Sequence, residues 1–403
     1  MALGLAVMLG AAAPPKSDPP AAPASAPKLD LSHSRFAPPP DAAPTNRQRP
    51  LPARPRGAAA SGDLVLMFTG DNKLCGRTAQ EIARFGADYP YALVTDTLHS
   101  ADIAFGNCEG TITACALHTA GKTDAAIAAR EAFVFKSDPQ CSGNIFAAAG
   151  FGIMQLANNH AMDFGGTGLA DTCDALDGAS IAHVGAGADY PAARAPAVIA
   201  AKGVRVGFLA YSLIVPPLSA AGHPGPGINT LPWQYAAALK RDIGELRQHC
   251  DFVVVGFHWG KEGSAVPNAD QRKLGHAAID AGADLVIGGH PHTFQGAEFY
   301  NGGLIEFSMG NFVFSGASPT IASGILRVTV HPPQRSTERP QITSAALLPC
   351  WVRAGRPTPS ADKRLRGVLA RDMRATGSEL VDDADGWLTL EPALGSFAPA
   401  TTD

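Results

Sequence analysis

The chain has 403 residues, 46% of them hydrophobic and only 17% charged, and its formal net charge is −4. That length allows two or three domains' worth of sequence, with apolar material for a sizeable core. The mild negative balance and the lack of a basic stripe give no footprint for nucleic acid or an anionic membrane, and they confine any polyanion to a cleft that concentrates positive charge.

In chain order, Met1 to Ala13 (MALGLAVMLGAAA) is a short apolar run ending in small residues. It looks like the hydrophobic region and cleavage end of a truncated signal peptide without its basic start, and the run is too short to span a bilayer. Residues 14–60 are rich in Ala, Pro and Ser, with Pro38-Pro39-Pro40 among them. Such a stretch buries too little apolar surface to order itself and reads as a disordered tether. The texture changes at Asp63, and residues 61–395 read as one α/β domain followed by a tail over 396–403. The seven cysteines contain no CxxC pair. Cys108 with Cys115 or Cys141 forms a local disulfide in an exported protein, or the thiols stay free as small buried hydrophobes.

Five apolar runs each end in polar residues. Asp63 to Thr69 leads into Gly70-Asp71, and Ala101 to Phe105 leads into Asn107 and Glu109. Phe151 to Leu156 precedes Asn158-Asn159-His160, Phe252 to Phe257 precedes His258-Trp259, and Asp284 to Ile287 precedes His290-Pro291-His292. These runs read as buried strands. Helices are predicted over Thr167 to Asp177, Pro232 to Cys250 and Gln271 to Ala281, the last closed by Gly282. Val204 to Tyr211, Gly303 to Phe307 and Ser323 to Val330 add strands, and Thr343 to Leu390 continues the same domain. Alternating strands and helices argue for α/β architecture with sheets covered on both faces.

In open α/β sheets, sites form at the carboxyl ends of strands. Taken singly, an Asp or Asn after a strand caps a turn, and a lone His is a hydrogen-bonded bystander. Together these ends deliver two acids, Asn carboxamides and several His. That mixed N/O inventory suits Zn, Mn or Fe and does not suit Ca, which prefers all-oxygen shells. In an extended segment His290 and His292 would point to one side. Asn311, after an apolar strand, is expected to position a loop through side-chain-to-backbone bonds.

The boxes resemble those of the poly-gamma-glutamate capsule biosynthesis (CapA) family. Gly70-Asp71 with Gly76-Arg77 resembles its opening box, and Asn107-Cys108-Glu109 its N-x-E box. Ala157-Asn-Asn-His-Ala-Met-Asp163-Phe-Gly165, Val184 to Gly187 and His258-Trp-Gly-Lys-Glu262 follow in order. Ala281 to His292 and Ser308 to Phe314 resemble the two closing boxes. The opening box is one residue longer than the family pattern, with Lys73 inside it, and Gly263 replaces an aromatic. Metallophosphoesterases usually begin with DxH, whereas Asp71 here is followed by Asn72 and Lys73.

The resemblance implies a metallophosphoesterase-like αββα sandwich of two mixed sheets flanked by helices. It implies Asp71, Glu109, Asn159, His258, His290 and His292 as ligands of one or two divalent ions (Zn, Mn or Fe), which would activate a water as nucleophile. His160, with its ring held by Asp163, would be the general acid or an electrostatic clamp. Arg77 and Lys261 would hold an anionic substrate. Trp259 either stacks on substrate or packs, and Glu262 either supports a ligand histidine or is a solvated loop charge.

Two functional readings follow. One is a metal-dependent hydrolase acting on a phosphoester, or on an amide or ester of a capsule polymer. The other is a non-catalytic component that binds an anionic polymer within an envelope polymer-synthesis or export complex. Both expect an exported, periplasmic or envelope-associated protein without a transmembrane helix in this chain.

Overall fold

Each of the five apolar runs that end in polar residues becomes a strand of one of two sheets in the computed structural model, which describes residues 62–222, 225–231, 236–315, 320–333 and 338–393. The leader expected over 1–13, the tether over 14–60, the tail over 396–403 and the first residues of the helix expected from Pro232 lie outside the described residues.

The larger sheet has ten strands. Its parallel part runs Leu64–Asn72, Ile103–Cys108, Phe151–Gln155, Ala182–Val184. On the other side of Leu64–Asn72 lie the long antiparallel strands Thr320–His331 and Gln341–Arg353, then Leu388–Pro392 and Ser378–Asp382. The second sheet has six strands, with a parallel centre of Val204–Ser212, Phe252–His258, Leu285–Gly289 and Gly303–Glu306. Antiparallel Ala197–Ala201 and Ala297–Tyr300 close its two edges.

The sheets face each other across a core that includes Phe68, Phe105, Phe208, Val254, Leu285 and Leu326. Phe105 and Phe208, from opposite sheets, stack at 6.0 Å between ring centroids. Helices Ser142–Ala148 and Gly165–Gly178 cover the outer face of the larger sheet through Ile145, Phe146, Leu169 and Leu176. Helices Ala236–Arg247 and Ala269–Asp280 cover the smaller sheet through Leu239, Ile243, Leu274 and Ala278. The architecture is an αββα sandwich of two mixed sheets. Each fully buried Leu, Ile or Phe contributes roughly 1.5–3 kcal/mol relative to exposure, so these three cores hold the layers together.

Local signals explain the element ends. The helix read from Gln271 starts two residues earlier, at Ala269, because Asn268 accepts the Gln271 amide and the Gln271 side chain accepts the Asn268 amide. Gly282 takes φ +112° just past that helix. The first strand extends beyond the apolar run to Asn72, since Asn311–Val313 pairs alongside it and Gly310 O accepts the Asp71 amide at 2.9 Å. Asp71 is therefore fixed on a strand rather than on the turn after it.

No disulfide forms, and all seven thiols are free. Among the described residues no helix is long and apolar enough to cross a membrane.

Candidate metal centre

The carboxyl ends of both parallel sheet centres meet around Asp71 and Glu109, both fully buried. Ligand-type atoms of Asp71, Glu109 and His292 lie within 4.8 Å of one another. His292 Nδ1 stands 3.2 Å from Asp71 Oδ2, and His292 Nε2 stands 3.8 Å from Glu109 Oε1. Burial alone would raise the Asp71 carboxyl, but His292, His258 and the Asn107 amide hold it well below the usual range. Glu109 is pushed well above its ordinary value, first by burial and then by the Asp71 charge. Burial disfavours the His292 cation, yet Glu109 and Asp71 raise it to about 10.

Asparagines knit the cluster together. Asn107 donates to Asp71 Oδ1 at 2.8 Å and lies 3.4 Å from His258 Nδ1. Its side-chain oxygen Oδ1 accepts from Asn158 Nδ2 at 2.9 Å. His258 Nε2 meets Asn159 Oδ1 at 2.8 Å. With Nδ1 accepting from Asn107, the proton sits on Nε2 and is donated to Asn159. Burial and neighbouring His290 keep His258 neutral, well below its ordinary value.

The extended geometry expected for His290 and His292 is corrected by the backbone. Their φ values are +93° and +56°, a left-handed region that residues other than glycine seldom enter. Both rings still reach the cluster: His290 lies edge-on to His258 at 4.9 Å, and His292 Nδ1 contacts Asn311 Oδ1 at 2.9 Å. Asn311 thus orients a site histidine rather than only a loop. Burial, then His292, lowers His290 to about 4.

A second group adjoins the first. His160 Nδ1 lies 2.8 Å from Asp163 Oδ2, across a turn in which the Asp163 amide donates to His160 O. Lys122 pairs with Asp163 Oδ1 and also donates to Phe133 O and Asn159 O. The Phe135 ring stacks on His160 at 3.9 Å, and its amide donates to Asp163 Oδ2. His160 Nε2 lies 4.0 Å from Glu109 Oε1. Burial lowers His160 and outweighs Asp163, so its ring is neutral, with Nδ1–H on the carboxylate and Nε2 free to accept.

Residues 65–316 match the family profile described as bacterial capsule synthesis protein PGA_cap. The chain belongs to this family. It is 29% identical to the PGA biosynthesis protein CapA of Bacillus subtilis (strain 168) over 81% of this chain and 82% of that protein. It is 32% identical to the capsule biosynthesis protein CapA of Bacillus anthracis over 62% of this chain, a match spanning 60% of that protein's length. The sulfate thiohydrolase SoxB of Thermus thermophilus superposes over 78% of this chain and 61% of that one, at 12% identity and a TM-score of 0.40, too slight a likeness to argue from.

In this member of the capsule synthesis family the substrate residues expected from sequence are spread out. Trp259 is fully buried, donates Nε1 to Phe307 O at 2.8 Å and stacks on Phe257 at 4.5 Å. It packs and has no face left for substrate, which corrects the stacking role. Arg77 starts the helix Arg77–Phe85, and its exposed guanidinium pairs with Glu81 at 3.4 Å. Lys261 and Glu262 are exposed on the loop after His258, and the Glu262 charge bears on both His290 and His292.

The residues fit a cation. Both Glu109 carboxylate oxygens and His290 Nδ1 are buried without a hydrogen-bond partner, and buried orphans of that kind are costly unless something pairs with them. Sequence reasoning missed Lys122, Phe135, Asn107 as an organiser, and Asn158. Only the two asparagines carried a signal, as members of boxes already singled out.

Proposed function

We propose that the chain is a metal-dependent hydrolase of the cell envelope, acting on a phosphoester or on an amide or ester bond in a capsule-type anionic polymer such as poly-γ-glutamate. The observation that carries this reading is the pair of unpartnered Glu109 oxygens, buried beside Asp71 and His292. The names of the Bacillus relatives supply the polymer context.

Asp71, Glu109, Asn159, His258, His290 and His292 are the residues that would hold one or two ions of Zn, Mn or Fe. A bound divalent ion supplies Lewis-acid polarisation of the scissile group and eases ionisation of a water. Asn107 orients Asp71 and His258, and Asn311 orients His292. Neutral His160 takes up a proton at Nε2 and returns it to the leaving group, while Asp163 keeps Nδ1 protonated. Lys122 balances the buried Asp163 charge, and Phe135 shields the imidazole from water.

The test is turnover of bis(p-nitrophenyl) phosphate and of poly-γ-glutamate by the purified chain with Mn²⁺ or Zn²⁺, beside a Glu109→Ala/His292→Ala double variant. Metal-dependent hydrolysis lost in the variant is expected. Polymer binding without turnover would transfer the protein to the non-catalytic assembly role, and neither activity would reject both.

A further inference from the structure

Lys73 stands two residues from Asp71, inside the lengthened opening box, and it is 7% exposed. Its Nζ donates to Ser315 O at 3.1 Å and lies 4.1 Å from the Phe135 ring centroid and 3.9 Å from that of Phe314. A cation between two aromatic faces is held by their quadrupoles. The same rings touch the centre: Phe135 stacks on His160, and Phe314 lies 4.9 Å from His292. The ammonium is therefore fixed in the wall of the carboxylate cluster, and its charge acts on Glu109. Its hydrogen bond goes to a carbonyl oxygen rather than to a carboxylate, so Glu109 keeps both oxygens unpartnered.

We propose that Lys73 is a built-in cation that limits this centre to one divalent ion, an inference that rests on the metal-centre reading above. A bound ion displaces the protons that the metal-free site keeps on Glu109 and His292, so that Asp71 and Glu109 then bring two formal negative charges. One divalent ion cancels them, and the caged ammonium already leaves the site positive. A second divalent ion would enter a low-dielectric wall against a cation that cannot swing away, where like charges repel far more strongly than in water. A lysine that merely braced the loop would affect folding and leave the stoichiometry alone.

The experiment titrates Mn²⁺, and separately Zn²⁺, into the full chain stripped with chelator, reading equivalents by elemental mass spectrometry and affinity by calorimetry. Wild type is expected to bind one equivalent. Lys73→Met is expected to bind a second, or to bind the first about tenfold more tightly, while Lys73→Arg stays at one. Two equivalents in wild type overturn the proposal and leave the metal centre standing. So does a folded Lys73→Met that keeps one equivalent at unchanged affinity. No binding by wild type removes the metal-centre reading itself. If Lys73→Met fails to fold, Lys73→Gln is titrated in its place, and an unchanged count and affinity in that variant overturns the proposal.

Discussion

The imidazole of His160 and the carboxylate of Asp163 form a buried pair joined at 2.8 Å, and every other contact of that carboxylate is also a donor. Asp163 therefore fixes which nitrogen of His160 carries the proton. Asp163→Asn would leave the shape and offer an amide in place of the anion. Hydrolysis of bis(p-nitrophenyl) phosphate is expected to fall about 10²–10⁴-fold, the range for losing a general acid–base group. Metal content should be unchanged, because Asp163 is no part of the carboxylate cluster. Elemental analysis beside the rate assay checks both halves.

Lys122 is the counter-charge of that pair, and removing it leaves the buried Asp163 charge with the His160 and Phe135 donors but no cation. Lys122→Met is expected to destabilise the fold by about 3–5 kcal/mol, the cost of breaking a buried ion pair from one side. Lys122→Met/Asp163→Asn should recover part of that loss. Urea denaturation of the two variants and the wild type, taken as a cycle, measures it.

Glu109 illustrates stability given up for a site. Its oxygens are buried without partners, so an isosteric amide should relieve the metal-free fold. Glu109→Gln is expected to melt above the metal-free wild type near pH 8 and to lose the stabilisation that Mn²⁺ gives the wild type. Thermal melts with and without Mn²⁺ decide it; a metal-induced rise retained in Glu109→Gln would remove Glu109 from the ligand set.

Trp259 was open to two roles in the sequence, and its burial leads to an expectation. Trp259→Phe keeps an aromatic in the Phe257 stack but loses the bond to Phe307 O. Stability should drop by about 1–3 kcal/mol, the cost of leaving a buried polar group unpaired, with KM for the ester within twofold of wild type. A large rise in KM with unchanged stability would restore a substrate contact.

What was legible in the sequence was whatever the strands carry. The apolar runs with polar ends placed Asp71, Glu109, Asn159, His258 and the His290/His292 pair at one edge of the sandwich, because parallel strands end together. The sequence did not reveal where the loops fold back. Lys122 and Phe135 lie in a segment without periodicity, and only its return over the Asn158–Asp163 turn brings them to His160. Positive φ at His290 and His292 was likewise invisible, because a histidine does not advertise that conformation as glycine does. Trp259 and Arg77 were read from their boxes rather than from their surroundings: one is fully buried, and the other pairs with Glu81 on the surface.

Glu306 provides a test of the core that is separate from the proposed chemistry. It ends the strand Gly303–Glu306, is fully buried, and neither carboxylate oxygen has a hydrogen-bond partner. Burial pushes its carboxyl well above 4.5. A raised folded value means the native state holds its proton at a pH where the unfolded chain has released it. Stability must then fall as pH rises from the unfolded value near 4.5 towards the raised one, by up to about 1.4 kcal/mol per pH unit. Glu306→Gln keeps the shape and removes the proton. Relative to wild type the variant should gain stability steadily from pH 5 to pH 8. Parallel urea curves for the two proteins would reject the assignment of a protonated Glu306.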